Sequence, residues 1–132
     1  MDSPIISTAD LADHLDDPDW RILDCRFDLS QPEAGREAYR EGHIPGALYA
    51  HLELDLSGPV TATSGRHPLP DPDALRTTFS RWGITPTTQV VCYDYRTNAY
   101  AGRLWWLLRW LGHERVAVLD GGFEKWLAEE RP

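Results

Sequence analysis

The sequence predicts an α/β fold in which a central parallel sheet of about five strands has helices on both faces. Short apolar segments that suit buried strands alternate along the chain with longer segments of helical character. This alternation favours parallel pairing, with the sheet covered on both sides. The clearest single observation is the stretch QVVCYDYRTNAYAGRLWWLLRWLG at residues 89–112. It reads as an apolar strand, a tight loop and a long apolar helix.

Local signals give the individual elements. Ser7 or Thr8 can N-cap a short helix through residue 15, Asp71 can cap a later helix, and Gly83 follows the end of that helix. The elements predicted after the first helix are a strand at 21–25, a helix at 33–41, extended chain at 47–50, a helix at 71–82, a strand at 89–93, a helix at 99–111, a strand at 115–119 and a helix at 122–129.

Length and composition predict one folded domain, residues 1–132. Of these residues 42% are hydrophobic and six are Trp, which is enough apolar surface for a substantial core. No apolar run approaches the roughly 20 residues that a membrane-spanning helix needs. Two cysteines are too few for a disulfide framework, so the expected location is the reducing environment of the cytoplasm.

The formal net charge of −8 restricts the ligands that the chain can attract. It argues against nucleic acid and anionic membranes as partners, and it would repel a small anionic substrate. An anion site would therefore need local backbone amides, a helix N-terminus or an Arg side chain. The loop after the strand at 89–93 is where such sites occur in α/β proteins, and Asp94 opens that loop.

Three motifs carry a resemblance to a known family. They are EGHIPGA at residues 41–47, the strand–loop–helix at residues 89–112, and VLDGGFEKW at residues 118–126. Together they resemble the rhodanese-like sulfurtransferases over nearly the whole chain. The segments GRHPLP and RLWWLLRWLGH are similar to the N-terminal half of the tandem-domain thiosulfate and 3-mercaptopyruvate sulfurtransferases.

The resemblance implies sulfur transfer through a cysteine. In an active domain of this family, a Cys ends the central strand in a loop whose amides point inward, which lowers the thiol pKa and stabilises a persulfide. The thiolate takes sulfur from a donor and passes it to an acceptor such as cyanide or a thiol. In the tandem proteins two such domains pack together, and only the C-terminal one carries this Cys. The resemblance implies no metal and no organic cofactor.

Asp94 stands at the position of that cysteine, and a carboxylate cannot carry a sulfane sulfur. The loop continues through Tyr95, Arg96, Thr97 and Asn98 without a Gly, whereas active loops of the family usually contain one. We therefore expect a pseudo-active-site loop in a non-catalytic domain. The Asp94 carboxylate is expected to accept amide hydrogen bonds at the helix N-terminus, with a stabilisation of about 0.5–2 kcal/mol.

The two thiols are the alternative nucleophiles. Cys92 shares a strand face with Asp94 but lies deeper in the sheet, and Cys25 ends an earlier strand. For both, burial as a small hydrophobic residue is the favoured interpretation. A phosphatase-like thiol at Cys92 would need an Arg six positions later, where Asn98 stands. A redox pair of the two cysteines stays open.

Asp55 and His67 are the candidate catalytic residues, in a supporting role between two domains. In the mercaptopyruvate branch of the family, the non-catalytic domain contributes an Asp and a His to the interdomain active site. Asp55 in LELDL and His67 in RHPLP resemble that pair. The carboxylate would orient the imidazole, and the imidazole would transfer protons. Arg66 is the nearest basic residue and could hold a substrate carboxylate. The competing interpretation is an ordinary loop His beside a surface Asp.

The leading hypothesis is the N-terminal, non-catalytic half of a two-domain sulfurtransferase. Its partners would be a C-terminal rhodanese domain and a small anionic sulfur donor. A free-standing, catalytically silent rhodanese-like module that binds a partner or senses anions, in a binding or regulatory role, is the first alternative. A single-domain thiol enzyme that uses Cys92 or Cys25 is the second. Trp105, Trp106 and Trp110 supply more apolar surface than one helix face needs, so part of it is expected against a second domain or another subunit.

Overall fold

Five strands form one parallel sheet in the computed structural model. The model describes residues 4–28, 30–31, 33–58, 68–96 and 99–129. The strands are β1 Ile5–Ile6, β2 Trp20–Asp24, β3 Leu48–Tyr49, β4 Gln89–Tyr93 and β5 Val116–Leu119. Their order across the sheet is β1-β5-β4-β2-β3, and every pairing is parallel. The predicted α/β class with a parallel sheet of five strands is confirmed.

Helices connect these strands, and their capping residues explain where two of them begin. The Ser7 side chain accepts a hydrogen bond from the Asp10 amide, and Asp71 accepts from the amides of Asp73 and Ala74. The helices are α1 Thr8–Ala12, α2 Ala34–Glu41, α3 Pro72–Arg81, α4 Ala99–Trp110 and α5 Gly122–Ala128. The first helix ends at Ala12 and is shorter than the prediction, which continued to residue 15.

One strand was not predicted. Strand β1 has only two residues, and it exists because Ile5 and Ile6 pair with Val118 and Leu119 at the edge of the sheet. A two-residue strand has no sequence period of its own, so tertiary pairing decides its conformation.

The sheet has an apolar core on each face. Successive residues of a strand point to opposite sides, and β4 accordingly sends Val90 and Cys92 into one core and Val91 and Tyr93 into the other. Helices α3 and α4 cover the first core, and α1 and α5 cover the second. Their buried contributions are Leu75, Phe79, Leu104, Leu107 and Leu108 on the first face and Leu11, Phe123 and Trp126 on the second.

The chain changes winding direction between β2 and β4. The strand that follows β2 lies on one side of this pair, and the strand that follows β4 lies on the other. Asp24, the last residue of β2, is in register with Tyr93, the last residue of β4. In parallel sheets the crevice beyond such a pair of strand ends is the usual ligand position. Asp94 is the first residue past that point.

Candidate functional site

Asp94 is buried, with 1% of its surface exposed, and it binds the first turn of α4. Its Oδ2 accepts hydrogen bonds from the amide of Tyr100 at 3.0 Å and from that of Ala101 at 3.1 Å. The first amides of a helix have no partner within the helix and attract negative charge. In this chain the carboxylate of Asp94, the residue after β4, accepts from these amides. The predicted amide hydrogen bonds of Asp94 are therefore present.

The backbone of the same loop is held by α5. The carbonyls of Asp94 and Tyr95 accept hydrogen bonds from the amides of Phe123 and Glu124, at 2.8 and 3.0 Å. A Cβ at Gly122 would lie 2.6 Å from the Tyr95 carbonyl oxygen, and φ at Gly122 is +63°. Both facts require glycine at this position. The second glycine of LDGGF thus lets α5 approach the Asp94 loop closely.

The outer part of the loop is open to solvent where the structure describes it. Tyr95 is 38% exposed, and Arg96 makes a long 3.6 Å ion pair with Glu124 between two exposed side chains. Such surface pairs contribute little to stability. Thr97 and Asn98 lie outside the described residues.

A buried ion pair lies beneath the loop, and the sequence analysis did not identify it. Asp24 and Arg26 are 0% and 3% exposed, and the Arg26 Nη2 donates to Asp24 Oδ2 at 2.7 Å. Burial lowers the pKa of the Arg26 guanidinium, but the hydrogen bond and charge of Asp24 outweigh it, so the net pKa is raised. The Tyr93 hydroxyl donates to the same Asp24 oxygen at 2.9 Å. Asp24 is therefore fully occupied as a structural anion.

The EGHIPGA turn is bound to this network. Arg26 Nη2 also donates to the Gly42 carbonyl at 2.6 Å, and the Ile44 amide donates to the Tyr93 hydroxyl at 3.2 Å. The His43 ring stacks on Tyr39 at 3.9 Å, and its Nδ1 donates to the Tyr39 carbonyl at 2.7 Å. His43 thus braces the turn.

Both thiols are reduced and buried. Cys25 is 2% exposed and Cys92 is 0% exposed. Burial, followed by the neighbouring Cys92 thiol, raises the pKa of the Cys25 thiol well above its usual range. A nucleophilic cysteine needs an accessible thiolate with a lowered pKa. The structure therefore favours the interpretation of Cys25 as a packed hydrophobic residue, and the zero exposure of Cys92 argues likewise.

Asp55 lies in a compact turn at residues 51–58, just beyond β3. Its Oδ2 accepts from the His51 amide at 2.8 Å, and its Oδ1 accepts from Arg81 of α3 at 3.3 Å. The Asp55 side chain is 18% exposed, in contrast to Asp94. A carboxylate oxygen has room for more than one donor, so these contacts leave Asp55 able to bind an imidazole as well. Arg66 and His67 lie outside the described residues.

His51 is a buried histidine that sequence reasoning missed. Its Nδ1 accepts from the amides of Glu53 and Leu54, which leaves the proton on Nε2 to bond Glu33 at 2.8 Å. The hydrogen bond from His51 lowers the pKa of the Glu33 carboxyl. Glu33 is 18 positions away in the chain, so no local pattern could have indicated the pair.

The tryptophans of α4 divide between core and surface. Trp105 packs partly against the core, whereas Trp106 and Trp110 are 45% and 42% exposed and stack on each other. Within the described ranges no group of three or more potential ligands could hold a metal ion. No helix in the described part of the chain is long and apolar enough to span a membrane.

Comparison with known proteins defines the class. The profile of the rhodanese-like domain family matches residues 7–129. The chain belongs to this family. A probable 3-mercaptopyruvate sulfurtransferase of Pseudomonas aeruginosa is 48% identical to it over 126 residues, which are 94% of this chain and 44% of that protein. A putative thiosulfate sulfurtransferase of Mycobacterium tuberculosis is 42% identical, over 92% of this chain and 43% of that protein.

Structural comparison agrees with the sequence comparison. The 3-mercaptopyruvate sulfurtransferase from Leishmania major superposes with a TM-score of 0.86 at 32% identity, covering 95% of this chain and 34% of that one. The chain thus spans less than half the length of these relatives.

Proposed function

We propose that this chain is the N-terminal, non-catalytic domain of a tandem sulfurtransferase. The persulfide forms on a Cys of a C-terminal domain, and this domain contributes Asp55, His67 and Arg66 to the site between the two. The donor is thiosulfate or 3-mercaptopyruvate, and the acceptor is a thiophile such as cyanide or a thiol. The names and lengths of the relatives support this assignment.

One observation carries the non-catalytic role. The helix amides that could stabilise an anionic sulfur are already occupied by the Asp94 carboxylate at 3.0 and 3.1 Å. Asp94 itself has no sulfur to transfer. The chain's two thiols are buried in the α3–α4 side of the sheet. We therefore infer that the sulfur-carrying cysteine belongs to another domain.

The two donors need different help. With thiosulfate, the partner's thiolate attacks the outer sulfur, and sulfite leaves with the electron pair of the broken S–S bond. With mercaptopyruvate, the C–S bond breaks and its electron pair stays on the methylene carbon. That carbon must take up a proton, formally the one from the substrate's thiol, to become the methyl group of pyruvate. Only this second reaction requires a proton delivered to carbon.

His67 is suited to transfer that proton, and Asp55 is suited to orient the His67 imidazole. An imidazole exchanges protons near neutral pH, and a carboxylate beside it fixes the tautomer. Asp55 keeps solvent contact and holds its own turn through the His51 amide. Arg66 would pair with the carboxylate that both pyruvate and mercaptopyruvate carry. Cyanide or a thiol then attacks the outer persulfide sulfur and regenerates the thiolate.

Replacement of His67 in the full-length protein tests this function. We expect His67→Ala to lower kcat/KM for mercaptopyruvate by about 10²–10⁴, the range for loss of a general acid or base. The value for thiosulfate should change far less, because its leaving group needs no proton. His14→Ala, which removes a histidine from the turn after α1, is the matched control. Wild-type rates with both donors in His67→Ala would remove His67 from the mechanism.

A further inference from the structure

The turn of residues 51–58 is internally rigid. The Asp55 amide donates to the His51 carbonyl at 2.9 Å, while the Asp55 carboxylate accepts from the His51 amide at 2.8 Å. The Ser57 hydroxyl donates to the Leu52 carbonyl at 2.7 Å. These bonds fix the shape of the turn. Its position on the domain depends on contacts with the rest of the molecule.

Two polar contacts to neighbouring helices each include one exposed side chain. His51 Nε2 bonds Glu33, whose side chain is 59% exposed, at the start of α2. Arg81 of α3 bonds Asp55 at 3.3 Å and is 61% exposed. The Arg81–Asp55 pair is screened by water and restrains the turn weakly, and the Glu33 side chain that bonds His51 is itself open to solvent.

The third contact is made by Arg103 of α4, and it is multiple and partly buried. Its Nε and Nη2 both donate to the Leu56 carbonyl, at 3.1 and 2.9 Å. Nη2 also reaches the Ser57 hydroxyl at 3.3 Å and the Pro68 carbonyl at 3.0 Å. Burial lowers the pKa of the Arg103 guanidinium, as expected where water is excluded from a cation.

The same Pro68 carbonyl accepts the Gly58 amide at 3.0 Å. Gly58 and Pro68 therefore lie side by side, and Arg103 bonds the chain on both sides of this point. A Cβ at Gly58 would come within 2.7 Å of the Leu69 carbonyl oxygen. The backbones of Gly58 and Leu69 are thus packed as closely as a glycine allows.

We propose that Arg103 is a positioning residue for the sulfurtransferase reaction, which acts by clamping the Asp55 turn and Pro68 to α4. The planar guanidinium is the group suited to this task, because its fixed fork of donors can meet several carbonyls at once. A lysine ammonium would offer a point charge without that geometry. The inference rests on the proposed role of Asp55, since only a reaction that uses Asp55 would depend on its placement.

The first test is a double-mutant cycle in the full-length protein. We expect Arg103→Gln to lower kcat/KM for mercaptopyruvate about tenfold or more, and for thiosulfate about twofold or less. In an Asp55→Asn background the same change should have almost no further effect, because both act through one group. Arg103→Lys should fall between wild type and Arg103→Gln. Equal losses with both donors, or fully multiplicative effects of the two substitutions, would overturn the proposal.

The second test measures whether Arg103 holds the turn against α4. Hydrogen exchange at the amide of residue 58 should accelerate in Arg103→Gln. It should also accelerate in Gly58→Ala, because the added Cβ would lie too close to the Leu69 carbonyl oxygen. It should stay unchanged in Arg109→Gln, a charge-matched control on the same helix, and change less in Arg81→Gln. Unaltered exchange in Arg103→Gln would overturn the clamp. Wild-type turnover in Asp55→Asn would instead overturn the proposed function, and the exchange result would still decide whether the clamp exists.

Discussion

Asp94 and Asp55 are two carboxylates that follow strands of one parallel sheet, yet their surroundings differ. Asp94 follows β4, is 1% exposed and binds two helix amides at 3.0 and 3.1 Å. Asp55 follows β3 and remains 18% exposed. It is bound by one backbone amide and by the exposed side chain of Arg81. The Asp94 carboxylate therefore has a structural role, whereas the Asp55 carboxylate stays partly accessible from outside the domain.

The Asp94 loop keeps the backbone geometry of an anion site, whereas the Asp55 turn offers an accessible carboxylate. At Asp94 the end of β4 meets the N-terminus of α4, and α5 approaches closely because of Gly122. The Asp94 carboxylate itself occupies the place where a bound anion would accept from the α4 amides. The turn at residues 51–58 is neither helix nor strand, and the Arg103 guanidinium of α4 holds it through the Leu56 carbonyl. A supporting domain would therefore act through its Asp55 side rather than through its Asp94 loop.

Loss of Asp24 should give the largest effect on stability. Asp24→Ala leaves the Arg26 guanidinium buried without its partner, so we expect the free energy of unfolding to fall by about 3–5 kcal/mol. Urea denaturation monitored by Trp fluorescence measures this change. The control is Asp73→Ala, which removes an ion pair between exposed side chains and should leave the midpoint almost unchanged. Similar losses in both variants would show that the region under the Asp94 loop is not a special source of stability.

Loss of the Asp94 carboxylate should have an intermediate effect. Asp94→Ala removes the acceptor for the amides of Tyr100 and Ala101, so we expect a loss of about 0.5–2 kcal/mol. Asp94→Asn retains an oxygen that can accept from both amides and should lose less. Neither substitution is expected to alter donor preference in the full-length protein. A shift in the mercaptopyruvate-to-thiosulfate rate ratio in Asp94→Asn would place Asp94 in the chemistry.

Asp55→Asn should affect stability least and activity most. The amide oxygen can still accept from the His51 amide, so we expect a change in unfolding free energy of roughly 0.5 kcal/mol or less. Turnover of mercaptopyruvate in the full-length protein should nevertheless fall about tenfold or more, because a neutral amide no longer stabilises a charged imidazolium. Denaturation and steady-state kinetics on the same preparation test both statements. A stability loss as large as that of Asp94→Ala would erase the contrast between the two carboxylates.

The sequence predicted the elements that carry their own pattern. β4 and α4 were placed correctly because a fully apolar strand and a long apolar helix are visible without tertiary information. The cap at Asp94 was predictable because a carboxylate between a strand and a helix faces free amides. β1 was missed because its two residues are extended only through pairing with β5.

The side-chain contacts between distant segments were not predictable. Glu33 and His51 meet across 18 positions, and Arg103 reaches Leu56 across 47. Asp24 and Arg26 are close in sequence, but only the fold shows that both are buried beneath the Asp94 loop. Each of these contacts depends on how the loops are placed against the sheet, and this placement cannot be read from a single sequence.

The position of the persulfide in the full-length protein shows which domain carries the sulfur. The protein would be incubated with thiosulfate or mercaptopyruvate without an acceptor, the persulfide trapped by alkylation, and the modified peptide located by mass spectrometry. We expect one added sulfur on a cysteine outside residues 1–132, with Cys25 and Cys92 unmodified. A persulfide on Cys25 or Cys92 would contradict this expectation and make this domain the sulfur carrier.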